Sequence, residues 1–150
     1  MTLLRTALLR VVSTLMVTIL ATTSVTAHSS EPLPVAYQNQ DRFIRTKIKE
    51  HLGNDPLMLV IAGCESTWDP LHIKHWEPDG SLVKNPTSSA SGAFQVLLQY
   101  HGEWIASTEL DMYDIDEYLT FVKILLSEQG YAAWNESKEC WGPYEHLGTS

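Results

Sequence analysis

Positively charged residues are scarce in this sequence. Its 150 residues include ten lysines and arginines against 18 aspartates and glutamates, which gives a formal net charge of −8. Arg5 and Arg10 lie in an N-terminal segment that resembles a signal peptide, so removal of that segment would take the charge from −8 to −10. Phosphate contacts dominate binding to nucleic acids and anionic membranes, and so acidic a chain is a poor candidate for either. We expect a partner that is neutral or is recognised without net charge.

Cysteines are also few, with only Cys64 and Cys140 in the chain. Their spacing resembles no zinc site. In an exported chain an even number of cysteines favours a disulfide bond, and two buried free thiols are the alternative. A bond between these residues would close a loop worth roughly 4 to 5 kcal/mol in the chain-entropy model.

A long apolar run is lacking even in the N-terminal segment, residues 1–27. Its apolar stretch, Val11–Ala21, is short and diluted by serine and threonine, whereas a spanning helix needs about 20 apolar residues. The preceding arginines and the small residues ending at Ala27 favour a signal peptide cleaved before His28. We therefore expect an exported protein, periplasmic or secreted, which is held at a membrane only if this segment remains as an uncleaved anchor.

Neither a repeat nor a second domain is apparent in the sequence. Residues 28–40 are polar and proline-containing without any period, and are predicted as a flexible lead-in. We expect one domain over residues 41–142 and a C-terminal tail over 143–150. The domain begins with a predicted helix from Asp41 to the glycine at position 53, with apolar residues at four-residue steps.

Two further helical patterns lie in the second half of the domain. Residues 114–130 form the strongest, with Asp114 as N-cap and Glu117 three positions later, which resembles a capping box. Its wide apolar stripe indicates a central, mostly buried helix. A shorter helical piece is predicted around residues 103–107. Before these, "AFQVLLQY", residues 93–100, is predicted as a helix that follows a loop of small residues.

Residues 71–86 have a different pattern. Apolar and polar positions alternate at their start, and "PDGS" is a turn signal with a glycine available for positive φ. These residues predict a small β-hairpin. With the helices, the fold class is expected to be α+β, mainly α.

Glu65 is the most unusual residue in the pattern. Asn54 or Asp55 can cap a helix that starts at Pro56, and four-residue steps then place Glu65 on the same face as apolar residues. A carboxylate in an apolar setting near a helix C-terminus is disfavoured as a charge, so its pKa is expected to be raised. Such a group stays protonated near neutral pH and can give its proton to a leaving oxygen, as cleavage between sugars requires. An exposed glutamate at a frayed helix end is the alternative.

Three stretches together resemble the soluble lytic transglycosylase domain of the lysozyme-like superfamily. "IAGCESTWDP" is similar to its Glu-Ser motif, "SASGAFQV" to its Gly-x-apolar-Gln motif, and "AAWN" to its Ala-Tyr-Asn motif. Their order and spacing are those of the family, and the match covers about residues 41–142. The Cys-Glu pair with a late cysteine also resembles the resuscitation-promoting factors, secreted wall-lytic proteins in which the two cysteines are bonded.

The resemblance implies roles for individual residues. Glu65 matches the catalytic acid, Gln95 the glutamine that lines the cleft, and Ser66 the serine that orients the acid or holds its loop. Trp134 stands where the family has a tyrosine; an indole can stack on a sugar but has no hydroxyl to place near the acid. Asn135 completes the third motif as a substrate contact.

Other residues are candidates on weaker grounds. Trp76 is a candidate sugar platform or core anchor, and Tyr100 with His101 could line the cleft. Tyr118 and Leu119 stand where many relatives have Asn-Ile. His72 and His75 alternate on the predicted hairpin but lack further metal ligands, and no second carboxylate has a supporting spacing among four candidates, Asp69, Glu77, Asp79 and Asp111.

The resemblance implies a lysozyme-like fold with a hairpin lobe beside the cleft, and a monomeric enzyme acting on peptidoglycan glycan strands without metal or cofactor. Glu65 would cut the β-1,4 bond between N-acetylmuramic acid and N-acetylglucosamine. Because a hydrolase normally uses a second carboxylate, the sequence favours a lytic transglycosylase. A hydrolytic lysozyme, a wall-binding module without activity, and a secreted protein of another kind, such as an inhibitor, are the alternatives.

Overall fold

The computed structural model describes residues 39–148, which form a mainly helical domain with one small antiparallel sheet. This confirms the predicted class, α+β and mainly α. The predicted signal peptide and nearly all of the lead-in lie outside the described residues. Within residues 39–148, every helix is too short or too polar to cross a bilayer.

The first two helices follow the predicted pattern. Helix α1 is Gln40–Leu52 and buries Ile44 and Ile48, and it ends where Gly53 takes a positive φ of 76°. Helix α2 is Pro56–Thr67, and its N-cap side chain, Asp55, accepts a hydrogen bond from the Leu57 amide at 3.0 Å. Proline fits the first position of α2 because no intrahelical partner is lost there.

The predicted helices in the second half are also present. Helix α3 is Gly102–Thr108 and helix α4 is Ile115–Gln129. Asp114 caps α4 by accepting from the amides of Asp116 and Glu117. The capping box is only half formed, since the Glu117 carboxylate accepts from the Asp111 amide instead of returning to Asp114. The stripe of α4 is buried as expected, at Ile115, Tyr118, Leu119, Phe121, Val122 and Leu125.

The helix predicted over residues 93–100 is wrong. Strand β1, Ala90–Ser91, pairs antiparallel with strand β2, Val96–Leu97, and a turn over residues 92–95 joins them. Gly92 and Gln95 both have positive φ in this turn, at 77° and 48°. The segment "AFQV" is almost wholly buried, and periodicity cannot separate a short buried helix from a buried turn and strand.

The predicted hairpin over residues 71–86 is present only in reduced form. Its turn brings Trp76 and Leu82 together in an isolated antiparallel bridge, and Lys84 forms a second bridge to Ser91 of β1. The lobe is therefore a series of very short pairings instead of two continuous strands.

The chain after α4 is wound into three short helical pieces. A 3₁₀ helix covers Gly130–Ser137, helix α5 covers Lys138–Trp141, and a second 3₁₀ helix covers Gly142–Leu147. The segment assigned to a tail is thus helical as far as Leu147, whose side chain packs against the core. The predicted disulfide is confirmed, and Cys64 of α2 is bonded to Cys140 of α5.

One core lies between α1, α2, α4 and these C-terminal pieces. Its largest fully buried side chains include Trp141, Tyr118, Phe94 and Phe121. Helices α1 and α4 are also tied at their edge, where Lys47 Nζ and His51 Nε2 both lie 2.8 Å from Asp116 Oδ1. This packing fixes α2 with its C-terminal end facing the β lobe.

Candidate active site

Glu65 lies on the last turn of α2, at the junction of two adjoining cavities. The larger, of about 330 Å³, extends toward α4 and the 3₁₀ helix Gly130–Ser137. The smaller, of about 290 Å³, extends along the end of α2 toward Pro86. Glu65, Asn85 and Gln95 line both cavities, so together they form one groove with Glu65 near its middle.

The Glu65 carboxyl group is partly buried, and its surroundings disfavour a negative charge. Loss of hydration is the main cause that raises the pKa of Glu65 to about 7, and the nearby charge of Glu136 raises it further. A hydrogen bond from Ser137 opposes both effects. The prediction of a raised pKa is therefore confirmed, and near neutral pH the group is divided between its acid and its base form.

Ser137 can serve both forms of Glu65. Its Oγ lies 2.6 Å from Glu65 Oε1 and 3.3 Å from the carbonyl oxygen of Trp134. Toward a carboxylate the hydroxyl donates to Glu65. Toward a protonated carboxyl group it can accept, while its own hydrogen turns to the Trp134 carbonyl. Either way the carboxyl group is held at one place in the groove.

Gln95 is positioned by the turn between β1 and β2. Its Nε2 donates to the carbonyl oxygens of Gly92 at 2.9 Å and Val83 at 3.4 Å. A side chain at Gly92 would have its Cβ only 2.8 Å from the Tyr118 ring, so glycine is required for this close approach as well as for its positive φ. The amide of Gln95 is thereby held beside Glu65 in the groove.

Two buried side chains hold that turn through hydrogen bonds to its backbone. Tyr118 Oη accepts from the Phe94 amide at 3.0 Å and donates to the Ser91 carbonyl at 2.9 Å. His75 Nδ1 accepts from the Ala93 amide at 3.0 Å, and burial lowers the pKa of His75 to about 3. Tyr118, noted above as a departure from Asn-Ile, thus holds the turn that carries Gln95.

Trp134 lines the larger cavity and is also part of the core. Only 4% of it is exposed, and its Nε1 donates to the Phe94 carbonyl at 3.0 Å. Its own carbonyl accepts from Trp141 Nε1 at 2.8 Å. The indole is therefore almost wholly covered, and little of it is free to stack on a ligand in the groove.

Of the remaining predicted site residues, some line the groove and others lie outside it. Ser66 lines the smaller cavity, yet its Oγ donates to the Ala62 carbonyl and accepts from the Lys74 amide, so it holds the loop after α2. Trp76 is buried in the core, which agrees with the core-anchor alternative. Tyr100 and Asn135 are exposed and lie outside the lining of both cavities, whereas His101 lines the larger one.

The four candidate second carboxylates have other partners. Asp69 and Asp79 accept from nearby amides in their turns, Glu77 pairs with Lys74, and Asp111 accepts from the Tyr113 amide. Glu136 is the acidic residue that joins Glu65 in lining the larger cavity. Sequence reasoning missed it, because a 3₁₀ segment has no apolar period that would indicate its facing side.

One signal could have found both Glu136 and Ser137. Cys140 lies one helical turn after Ser137, and its disulfide partner Cys64 is the neighbour of Glu65. The bond therefore brings the residues just before Cys140 close to the carboxyl group.

Two histidines considered as metal ligands do not converge. His72 is exposed and pairs through Nδ1 with Asp69, whereas His75 is buried against the turn of Gln95. In the part of the chain that the structure describes, no three His, Cys, Asp or Glu side chains are grouped as a metal site would need.

Comparison of the chain with family models, curated proteins and solved structures found no significant match. The resemblance to lytic transglycosylases therefore depends on the three sequence motifs.

Proposed function

We propose that this protein is an exported, lysozyme-like lytic transglycosylase that cuts the β-1,4 bond between N-acetylmuramic acid and N-acetylglucosamine in peptidoglycan. The observation that carries the proposal is Glu65, a partly buried acid with a pKa of about 7 in the middle of a groove. At that pKa one group can act first as an acid and then as a base.

The reaction would use Glu65 twice. Its carboxyl group gives a proton to the O4 of the leaving N-acetylglucosamine as the C1–O4 bond breaks. The acetamido oxygen of the N-acetylmuramic acid stabilises the positive charge at C1. Glu65, now a carboxylate, takes the proton of the C6 hydroxyl while O6 bonds to C1. The products are a free O4 hydroxyl and a 1,6-anhydro sugar, and no water is consumed.

Neighbouring groups suit each half of this cycle. The Ser137 hydroxyl stabilises the carboxylate after it has lost its proton, since it lies 2.6 Å from Oε1. The Gln95 amide, beside Glu65 in both parts of the groove, is placed to hydrogen-bond a sugar hydroxyl or acetamido group.

Hydrolysis on the same site is the second candidate, and Glu136 is the observation that favours it. A second carboxylate in the cavity of the acid could direct a water molecule to C1. The two outcomes leave different chain ends, so product analysis separates them. A non-catalytic module that binds peptidoglycan without cutting it would use the same groove.

The test is digestion of purified peptidoglycan, with products identified by mass spectrometry. We expect 1,6-anhydro ends from the wild type and none from Glu65→Gln. Glu139→Gln is the matched control, because Glu139 is exposed and lies outside both cavities. Reducing ends would support the hydrolase instead. A wild type that pellets with the wall and releases nothing would support the binding module, and an active Glu65→Gln variant would refute the assignment of the acid.

A further inference from the structure

Trp68, directly after α2, is largely exposed although it is a large apolar side chain. It is 61% exposed, whereas Trp76, Trp134 and Trp141 are 6%, 4% and 2% exposed. Leaving an indole in water forgoes the stabilisation that burial of so large a side chain gives. Single exposed apolar side chains are common on protein surfaces, so what distinguishes Trp68 is its place beside Glu65.

The backbone of Trp68 is also in a region that large side chains disfavour. It has φ 59° and ψ 24°, the left-handed conformation in which glycine commonly ends helices. Its amide donates to the Cys64 carbonyl at 3.1 Å and so closes α2. A large side chain is disfavoured in this conformation relative to glycine, so tryptophan is kept here at a cost to stability.

A tightly bonded loop holds Trp68 in place. Gly63 lets the chain pass back across α2, since a Cβ there would lie 2.4 Å from the Asp69 carbonyl oxygen. Thr67 Oγ1 lies within 3.1 Å of the Gly63 carbonyl and 2.8 Å of the His72 carbonyl. The backbone that carries the indole is therefore fixed by the fold.

Trp68 lines the smaller cavity. The same cavity is lined by Glu65, Gln95 and Asn85, and by Pro86 at its far side. An exposed aromatic ring beside amide groups is the usual chemistry of a sugar site, because the apolar face of a sugar ring stacks on the aromatic ring while its polar groups hydrogen-bond.

We infer that Trp68 forms a binding subsite for one N-acetylhexosamine ring of a β-1,4 glycan, in the part of the groove beyond Glu65. The inference rests on the proposed function for the identity of the glycan. The larger cavity then holds the sugars on the other side of the cleaved bond. Trp68 is a binding residue here and takes no part in proton transfer.

The test measures binding without cleavage. In a Glu65→Gln background, calorimetry would give the Kd for a hexamer of N-acetylglucosamine, and pelleting would give the affinity for purified peptidoglycan. Trp68→Gly should weaken both about tenfold without lowering the melting temperature, because glycine accepts the left-handed backbone. Trp68→Phe, which keeps a ring, should lose less. Tyr113→Ala is the matched control, because Tyr113 is 62% exposed and lies outside both cavities.

A second measurement needs no substitution at Trp68. The hexamer should protect the most quenchable tryptophan fluorescence from acrylamide, since Trp68 is exposed whereas Trp104 is partly buried and the other three tryptophans are buried.

The subsite is refuted if Trp68→Gly binds as tightly as its parent, if the parent binds neither ligand, or if the hexamer leaves quenching unchanged. Failure of the proposed function is distinguishable. If the protein binds glycan through Trp68 but releases no products, the subsite proposal stands and the proposed enzymatic function fails. If the protein cuts peptidoglycan while Trp68→Gly binds as tightly as its parent, the proposed function stands and the subsite proposal fails.

Discussion

The two ends of helix α2 differ sharply. At its N-terminus, Asp55 caps the helix, Pro56 occupies the first turn and Leu57 enters the core, so each residue is of the type that a helix start favours. Asp55 also accepts a hydrogen bond from Tyr131 Oη at 2.6 Å, which ties this end to the C-terminal part of the chain.

The C-terminal end departs from the same rules. Glu65 places a carboxyl group where the helix dipole and burial both disfavour a charge. Trp68 places an indole in the left-handed conformation and in solvent. The disulfide of Cys64 holds this end against α5.

The comparison indicates that the N-terminal end stabilises the fold and that the disfavoured features are concentrated at the C-terminal end, where the proposed active site lies. Disfavoured features are tolerated where the surrounding structure determines them, and they are concentrated where a group has a task other than stability. Substitutions at the two ends should therefore affect different properties of the protein.

Glu65→Gln should have the largest effect and the clearest separation of properties. Wall cleavage should fall at least about 100-fold, since the acid and base are lost. The free energy of unfolding at pH 8 should rise by roughly 2 kcal/mol, because the wild type there carries a poorly solvated charge. Digestion assays and urea unfolding at pH 5 and pH 8 measure the two effects.

The sign of the pH effect follows from the pKa values. The pKa of Glu65 is about 7 in the folded protein against an ordinary value of 4.5 in the unfolded chain, so wild-type stability is lost as pH rises through this window. The pKa of His75 is lowered from 6.5 to about 3, so its contribution is lost as pH falls below 6.5. In Glu65→Gln the slope of opposite sign should remain, to which His75 and the partly buried His101, whose pKa is also lowered by burial, both contribute. A variant that is less stable than the wild type at pH 8 would contradict the role of burial.

Replacing Cys64 and Cys140 with serine should cost about 4 kcal/mol of stability, because the bond spans a sequence separation of 76 residues. Cleavage per folded molecule should fall as well, since Ser137 precedes Cys140 by one turn and must reach Glu65. Urea unfolding and initial rates with and without reductant check both points. If activity does not change when the bond is lost, packing alone holds helix α2 against the segment that carries Ser137.

Asp55→Ala should cost about 2 kcal/mol, since it removes both the cap of α2 and the acceptor of Tyr131 Oη. Activity per folded molecule should not change. Asp114→Ala is the comparison, because that exposed cap bonds only backbone amides and should cost about 1 kcal/mol. If Asp55→Ala lowered activity with stability intact, the division between the two ends would be incorrect.

The smallest effects concern the pH profile. Wild-type kcat/KM should fall as pH rises through about 7, the pKa of Glu65. Ser137→Ala should move this limb to higher pH, because the bond that lowers the pKa is lost. Glu136→Gln should move it to lower pH, because a charge that raises the pKa is lost. Rates of wall clearing across pH measure both, and shifts in the same direction would rule out this electrostatic arrangement.

The sequence alone was sufficient for helices α1, α2 and α4 and for the raised pKa of Glu65. Caps, proline, glycine and four-residue spacing are local signals, so α1, α2 and α4 could be predicted close to their ends. The position of Glu65 on an apolar face near a helix C-terminus likewise predicted a raised pKa, and an even cysteine count predicted the disulfide.

Only the tertiary structure decided what surrounds the acid. The turn that carries Gln95 was wrongly predicted as helix. Its backbone amides are bonded by the side chains of Tyr118 and His75, which are distant in sequence and therefore invisible to local patterns. Glu136 and Ser137 reach the groove through a 3₁₀ segment and a disulfide, and Trp68 is exposed beside the groove whereas Trp76 is buried in the core. The signals that set helix ends come from residues that are neighbours in sequence. A groove is formed by residues that are distant in sequence and meet only when the chain is packed.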